Sequence, residues 1–256
     1  MKKEIVDFII ENYGIVTRNK IAQLMNITDS QVKYVARKYN LNSDINVPRN
    51  KVNDSAFSIK TPSACYWAGF IAADGNISKD NRYLSICLGR KDLEHLLKLR
   101  EFIKSESKVY LAKNTGNTQF NANSPKIVKD LKNKFGIGPL KSLTLEPPTG
   151  LSYEESLAFI IGYIDGDGSI GINTSKTKHK TYSTLRLRML GTPKFLSWIA
   201  YMLEASSTPK QHCKSKIHVI SISEGHGSLS LLKKFIVQNK LPVLDRKWNK
   251  VITTTV

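Results

Sequence analysis

The chain is short of acids. Its 256 residues hold 21 Asp and Glu against 39 Lys and Arg, a formal net charge of +18 at pH 7. Cysteine is scarce too. Cys65, Cys87 and Cys213 cannot all pair, and their spacing fits no zinc motif. That pattern excludes a disulfide-stapled scaffold and fits a reducing, intracellular setting. No apolar run reaches the ~18 residues that a membrane helix needs, and the run from Leu157 to Ile164 is too short. No secretory leader or lipidation motif is read, so a soluble protein without a membrane partner is expected. His212, Cys213, His218 and His226 lack recognised ligand spacing and read as strand and loop surface. No Ser/His/Asp pattern stands out. Gly166-Asp167-Gly168-Ser169-Ile170-Gly171 spells G-x-G-x-x-G, but here the glycines follow a helix and precede a strand, the reverse of a dinucleotide site. What remains is a basic chain large enough for two or three packed units, and its charge is the footprint of a nucleic-acid partner.

Against these absences stands one repeat. Trp67-Ala68-Gly69-Phe70-Ile71-Ala72-Ala73-Asp74-Gly75 and Ile160-Ile161-Gly162-Tyr163-Ile164-Asp165-Gly166-Asp167-Gly168 are both apolar runs ending in Asp-Gly. Both read as helices. Pro62-Ser63 suits the first entry, and Ser152 with Glu155 forms a capping box for the second. Gly75 and Gly168 are expected to end the helices in a left-handed turn. Asp74 and Asp167 then lie at helix C-termini, where the macrodipole disfavours an acid by roughly 0.3–1 kcal/mol. A single such helix would be an ordinary core helix with a surface acid. Two matching copies point to a bound cation that offsets the penalty. Gly69 and Ala73, Gly162 and Gly166, and Ala68 and Ala72 are pairs of small residues four apart, which leave flat faces that can approach closely. If the two helices pack, their acids meet, and each raises the other's pKa unless a divalent ion lies between them.

The two segments resemble the paired motifs of LAGLIDADG homing endonucleases of the single-chain, two-motif kind. In the first copy Trp67, Ala68, Gly69, Phe70, Ile71, Ala73, Asp74 and Gly75 match the pattern, and Ala72 departs from it where the first acid stands. The second copy fills all nine positions. The resemblance implies an α+β fold of two pseudo-symmetric αββαββα repeats, with saddle-shaped antiparallel sheets flanking the paired helices. It implies a monomeric, site-specific endonuclease that hydrolyses both strands of a double-stranded DNA target across the minor groove. Asp74 and Asp167 would be the catalytic metal ligands, for Mg2+ or Mn2+, with Ca2+ able to bind without supporting cleavage. A lysine near the end of each repeat approaches the centre in this family. Here that places Lys141 and Lys247 as catalytic residues, with Arg90 or Lys91 as candidates for ordering water. The counterpart of Arg90 near Leu190-Gly191 is not basic, so the two sites are expected to be unequal.

The element order supports two repeats, 62–150 and 151–256. Each reads as a hairpin, a helix (through Leu96 and through Leu196), a second hairpin and a last helix. The offset between those leucines makes the hairpin of the second repeat the longer one. The first repeat's second hairpin would turn at Asn114-Thr115-Gly116-Asn117. Exposed strand positions would carry the DNA surface: Gln119, Asn121 and Asn123 in the first half, and Lys176, Lys178, His179, Lys180, Arg186 and Arg188 in the second. Residues 1–42 read as three short helices with Gly14 as a stop, Thr17 as a cap and a Thr28–Gln31 capping box, similar to a helix-turn-helix. Lys33, Arg37 and Lys38 would hold phosphates, and Ser30, Gln31 and Tyr34 would face bases. Residues 43–61 read as a polar linker in which Pro48, Arg49, Asn50, Lys51 and Lys60 could follow phosphates. The alternatives on the same fold are an RNA maturase acting on intron RNA and a non-cleaving DNA-binding regulator. An intein is disfavoured, since no leading Cys or Ser and no terminal His-Asn is read.

Overall fold

The computed structural model describes residues 1–13, 16–41, 50–112, 115–176, 178, 180–213, 216–224 and 227–252. Gly14, Pro48, Arg49, Asn114, His179 and His226 lie outside them. The chain forms two compact units, Met1–Lys51 and Val52–Val256.

In the first unit, threonines start two of the three helices, α1 (Lys3–Asn12), α2 (Arg18–Leu24) and α3 (Asp29–Lys38). Thr17 accepts from the Lys20 amide at 3.3 Å, and Thr28 and Gln31 exchange the two bonds of a capping box. Ile9, Ile21, Val32 and Val35 are sealed from water between the helices. Lys33 of α3 pairs with Asp29 one turn earlier at 2.7 Å. Arg37 and Lys38 are exposed.

The second unit begins with a segment expected to be a tether, and residues 52–61 are no tether. Phe57 is fully buried in the main core, with Val52 and Ala56 packed beside it. The Asn53 amide donates to Ile103 O at 2.8 Å, and Ser58 donates to Asp130 at 2.9 Å. One aromatic residue in a polar stretch, with no periodicity around it, is enough to draw the segment onto the body. Its last residue, Thr61, caps α4 (Pro62–Asp74) by accepting from the Ala64 amide at 3.2 Å. Two strands follow, β1 (Gly75–Ile77) and β2 (Tyr83–Gly89), then α5 (Leu93–Phe102), β3 (Tyr110–Leu111), β4 (Asn117–Asn123) and α6 (Pro125–Phe135). Ser152 and Glu155 form the expected box that opens α7 (Tyr153–Asp167). The same succession recurs as β5 (Gly168–Lys176), β6 (Thr181–Gly191), α8 (Pro193–Met202), β7 (Lys210–Gln211), β8 (His218–Ser223) and α9 (Ser228–Asn239). An unexpected helix, α10 (Asp245–Ile252), then follows. The two four-stranded antiparallel sheets have matching orders, β1-β2-β4-β3 and β5-β6-β8-β7. The second sheet's first hairpin is the longer one, with β5 of 9 residues against 3 in β1. The architecture is the expected pair of α+β repeats.

Helices α4 and α7 form the centre. Neither has a polar face: Ala64–Ala72 and Ser156–Asp165 are buried without a break. A helix buried all round must meet apolar surface on every side. Their contact is backbone on backbone. A Cβ added at Gly69 would lie 1.9 Å from Phe159 O, and one added at Gly162 would lie 1.9 Å from Tyr66 O. The same contact is made twice with the helices exchanging roles, the signature of a pseudo-two-fold axis between them. A Cβ at Gly166 would fall 2.2 Å from the Ala73 Cβ.

Gly162→Ala drives a methyl into a backbone carbonyl that cannot move without its helix. Overpacking of a core costs typically 1–3 kcal/mol, and this clash belongs at or beyond the upper end, ~3 kcal/mol. Gly138→Ala, with nothing within 4 Å of the new Cβ, is expected to leave stability within ~0.5 kcal/mol of the parent. Urea unfolding of both variants measures the difference.

Candidate functional site

Asp74 is the last residue of α4 and Asp167 the last of α7. The helix pairing therefore brings the two carboxyls together at one end of the axis. The glycines that follow are not left-handed, contrary to expectation. Gly75 has φ −76°, ψ 151° and Gly168 has φ −85°, ψ 153°, both extended. Glycine is needed there for space: a Cβ would meet Ile71 O at 2.7 Å or Ile164 O at 2.6 Å. Each chain leaves its helix straight into a strand that turns back over the last helical turn.

Burial pushes the Asp74 carboxyl up to about 6, the Asp167 charge adds to the rise, and Lys247 and Lys141 oppose it. Asp167 is raised as well, chiefly by burial, against the pull of Lys141, the Tyr163 hydroxyl and Lys247. A cleft of about 170 Å3 opens beside Asp167, lined by Ala73, Lys141, Ser142, Tyr163 and Gly191 among others. Tyr163 donates to Leu190 O at 2.8 Å and flanks this cleft. Its counterpart in the first repeat is Phe70.

The two lysines reach the centre in an unforeseen way. Lys141 donates to Ala73 O at 2.8 Å, the carbonyl just before Asp74. Lys247 contacts Ile164 O, Asp165 O, Gly166 O and Gly168 O at 2.9, 2.6, 3.0 and 2.7 Å. Each ammonium thus covers carbonyls at a helix C-terminus, where the macrodipole favours a cation. Burial lowers both lysines to about 8, with the aspartates opposing the shift. The cation that compensates the end of each motif helix is, at least in part, a lysine of the chain itself.

Lys247 is held by a network that sequence reasoning missed. Asp165 is 2 % exposed. It accepts from Tyr66 Oη at 2.6 Å, Trp248 Nε1 at 2.8 Å and the Leu244 amide at 2.9 Å. Tyr66 also touches His95 Nε2 at 3.0 Å, and burial, helped by Lys98, lowers His95 to about 3. Asp92 clasps Arg246 through two bonds of 2.6 and 2.7 Å. Burial would raise the Asp92 carboxyl, but the Arg246 guanidinium holds it below its usual range. Helix α10, which carries Lys247, is therefore fastened to α7 through Asp165, which Tyr66 of α4 also serves, and to the turn before α5 in the other repeat. The sequence signal was an acid at position 165 inside an otherwise apolar run, with no partner within reach along its own helix. Arg90 and Lys91 are exposed at the end of β2.

The sheets present the expected polar faces. Gln119, Asn121 and Asn123 share the exposed face of β4, and Arg186 and Arg188 share a face of β6. Lys176 ends β5, and Lys178 and Lys180 lie in the described part of the hairpin that follows. Among the described residues no group of three or more His, Cys, Asp or Glu could hold a metal ion, and no helix is long and apolar enough to cross a membrane.

Two repeats of one α+β unit, packed through paired helices that each end in an aspartate, define a two-fold pseudo-symmetric class of fold. Comparison with solved structures makes it particular: the chain has the LAGLIDADG homing-endonuclease fold. The meganuclease I-SmaMI bound to uncleaveable DNA with a TTCT central four is 14% identical over 74% of this chain and 90% of that one, with a TM-score of 0.52. I-SmaMI bound to an uncleaved DNA target in the presence of calcium ions is 14% identical over 75% and 90%, with a TM-score of 0.53. The I-LtrWI LAGLIDADG homing endonuclease bound to target DNA is 10% identical over 78% and 88%, with a TM-score of 0.54. No family model and no curated protein matches the sequence.

Asp165→Ala leaves two buried donors, on Trp248 and Leu244, without an acceptor, while Tyr66 keeps His95 Nε2 at 3.0 Å. Each orphaned donor costs ~1–3 kcal/mol, so the unfolding free energy is expected to fall by ~2 kcal/mol or more. Asp165→Asn keeps one accepting oxygen and is expected to lose less. Denaturant unfolding of the two variants checks the order.

Proposed function

We propose that this chain is a site-specific double-strand DNA endonuclease that works as a monomer, both halves of its centre being encoded in one polypeptide. The observation that carries the reading is the meeting of Asp74 and Asp167 at one end of the packed helix pair, in a chain of net charge +18. Structural neighbours that are DNA-bound homing endonucleases support it, and so does the presence of calcium ions with one of them.

The donor set suits a hard cation with oxygen ligands, Mg2+ or Mn2+. Two carboxyls raised by burial, Asp74 also by the charge of Asp167, are relieved by positive charge, and the cleft beside Asp167 leaves room for water and a phosphate oxygen. Asp74 and Asp167 would hold the metal, which when bound supplies charge to the attacking and leaving oxygens of an in-line displacement at phosphorus. The chain's own residues do the rest. The aspartates fix the centre on the helix axis. Lys141 and Lys247 hold the helix ends in place and add positive potential where phosphate charge develops. Tyr163 borders the cleft on one side only, so the two strand-cutting positions differ. The sheet faces bind the duplex on either side, and the basic surface supplies affinity.

The first unit would add a second contact. Arg37 and Lys38 are free to meet phosphates beside the main footprint, with Ser30 and Tyr34 toward the bases, as in a helix-turn-helix, whereas the Gln31 side-chain oxygen is engaged by the Thr28 amide. Lys33 is engaged by Asp29.

Asp74→Asn and Asp167→Asn are each expected to abolish double-strand cleavage with Mg2+ while duplex binding stays within a few-fold of the parent. End-mapping on a cleavable target, alongside a gel-shift titration, reads both effects, and full cleavage by either variant overturns the assignment. The logarithm of duplex affinity should fall with the logarithm of salt concentration by about 0.9 per phosphate neutralised. A flat response excludes a duplex-wrapping mode, and tighter binding to intron RNA at matched salt favours a maturase. A chain beginning at Val52 keeps the second unit whole, Phe57 included. It should still cut, bind more weakly and protect a shorter stretch of DNA. An unchanged footprint would remove the first unit from recognition.

A further inference from the structure

The two sheets align position by position, and the outward residues at matched positions differ in kind. Gly75 pairs with Ile86 in the first sheet as Gly168 pairs with Met189 in the second. From that anchor, Ser85 of β2 corresponds to Arg188 of β6, and Tyr83 to Arg186. One strand further, Asn121 lies opposite Ser85 as Ser221 lies opposite Arg188, and Asn123 lies opposite Tyr83 as Ser223 lies opposite Arg186. Gln119 and Val219 are matched in the same way, and at the edge so are Tyr110 and Lys210.

The first sheet therefore turns outward a neutral surface of amides, with no charged strand residue on that face. Gln119 Nε2 donates to Asn121 Oδ1 at 3.3 Å, which aligns the two amides and leaves the acceptor of one and the donor of the other open. Asn76 reaches Ser85 at 3.3 Å on the same face. The second sheet turns outward Arg186, Arg188 and Lys210 among serine hydroxyls. A groove of about 510 Å3 there is lined by Arg186, Ser207, Lys210, Ser221 and Ser223 among others. No ion pair or hydrogen bond to Arg186 or Arg188 is formed among the described residues, so both guanidinium forks are available to a ligand.

In the major groove an Asn or Gln amide pairs with the N6 donor and N7 acceptor of adenine. An Arg or Lys donates to the O6 and N7 acceptors of guanine. We infer that the two halves of the DNA target differ in base composition: the first sheet reads A·T pairs through Gln119 and Asn121, and the second reads G·C pairs through Arg186 and Arg188. This rests on the proposal that the chain binds duplex DNA, and it goes further by assigning a base class to each half-site.

The test is selection of bound duplexes from a library randomised across both half-sites, using the full chain without divalent metal so that nothing is cut. The selected sequences should have one half enriched in A·T pairs and the other in G·C pairs. With Arg186→Ala and Arg188→Ala together, preference should relax by about tenfold or more at the G·C positions and stay unchanged at the others. Gln119→Ala with Asn121→Ala should do the reverse. These side chains point away from the core, and melting curves verify that each variant is folded. Halves of like composition overturn the inference, as do arginine variants that leave the G·C positions intact or relax the A·T positions instead. If no duplex is enriched, or only an RNA pool is, both the inference and the DNA reading fail. Enriched duplexes with uniform halves defeat the inference alone.

Discussion

The whole second unit depends on two glycines facing two carbonyls. Gly69 against Phe159 O and Gly162 against Tyr66 O let α4 and α7 touch through their backbones. With Cβ atoms at those positions, the helices would stand further apart and their last residues would separate with them. Everything at the candidate centre inherits its spacing from this contact: the nearness of Asp74 and Asp167, the cleft beside them, and the placing of one sheet on each side. The contact also explains why neither helix has a polar face. A helix that meets a twin on one side and its own repeat on the others has no side left for water.

The second governing constraint is electrostatic. An acid at a helix C-terminus adds its charge to four carbonyls that already lack partners. In both repeats a lysine arrives from a segment far along the chain and covers those carbonyls. The arrangement is more elaborate in the second repeat, where Lys247 takes four carbonyls and its helix is anchored by Asp165 and by the Asp92–Arg246 pair. In the first, Lys141 sits in a short 3-10 turn and takes one. The same chemical need is met by unequal structures.

Much of this was legible in the sequence because it is local. The capping box at Ser152, the proline starts of the later helices and the alternation along Gln119–Asn123 are all set by neighbours within a few residues. The paired acids were legible because they occur twice. What escaped was non-local or space-driven. The Asp165 network joins positions 66, 95, 165, 244 and 248, and nothing in the local pattern links them. Gly75 and Gly168 follow helices, where the commoner reason for glycine is a left-handed cap, yet both are extended. The actual reason, a strand folding tightly over the preceding turn, is visible only in three dimensions. Phe57 was passed over because a lone aromatic residue in a polar stretch has no periodicity to reveal it. Helix α10 was concealed by its strongly charged outer face.

The Asp165 latch also bears on how far the two halves have grown apart. Its donors Tyr66 and Trp248 come from different repeats. The positions that correspond to them, Phe159 in α7 and Ser142 after Lys141, offer no matching ring donor. Where α7 has its buried acid, α4 has Ala72. Joining two copies of the second repeat would therefore bury two carboxylates at the seam, each still served by its own Trp248 but neither by a Tyr66 hydroxyl. Joining two copies of the first would leave two Tyr66 hydroxyls buried with no carboxylate to receive them. The backbones repeat with near two-fold symmetry, whereas the side chains at the seam fit in one arrangement only. Each half is the complement of the other, and the polypeptide that links them is not the only thing that keeps them together.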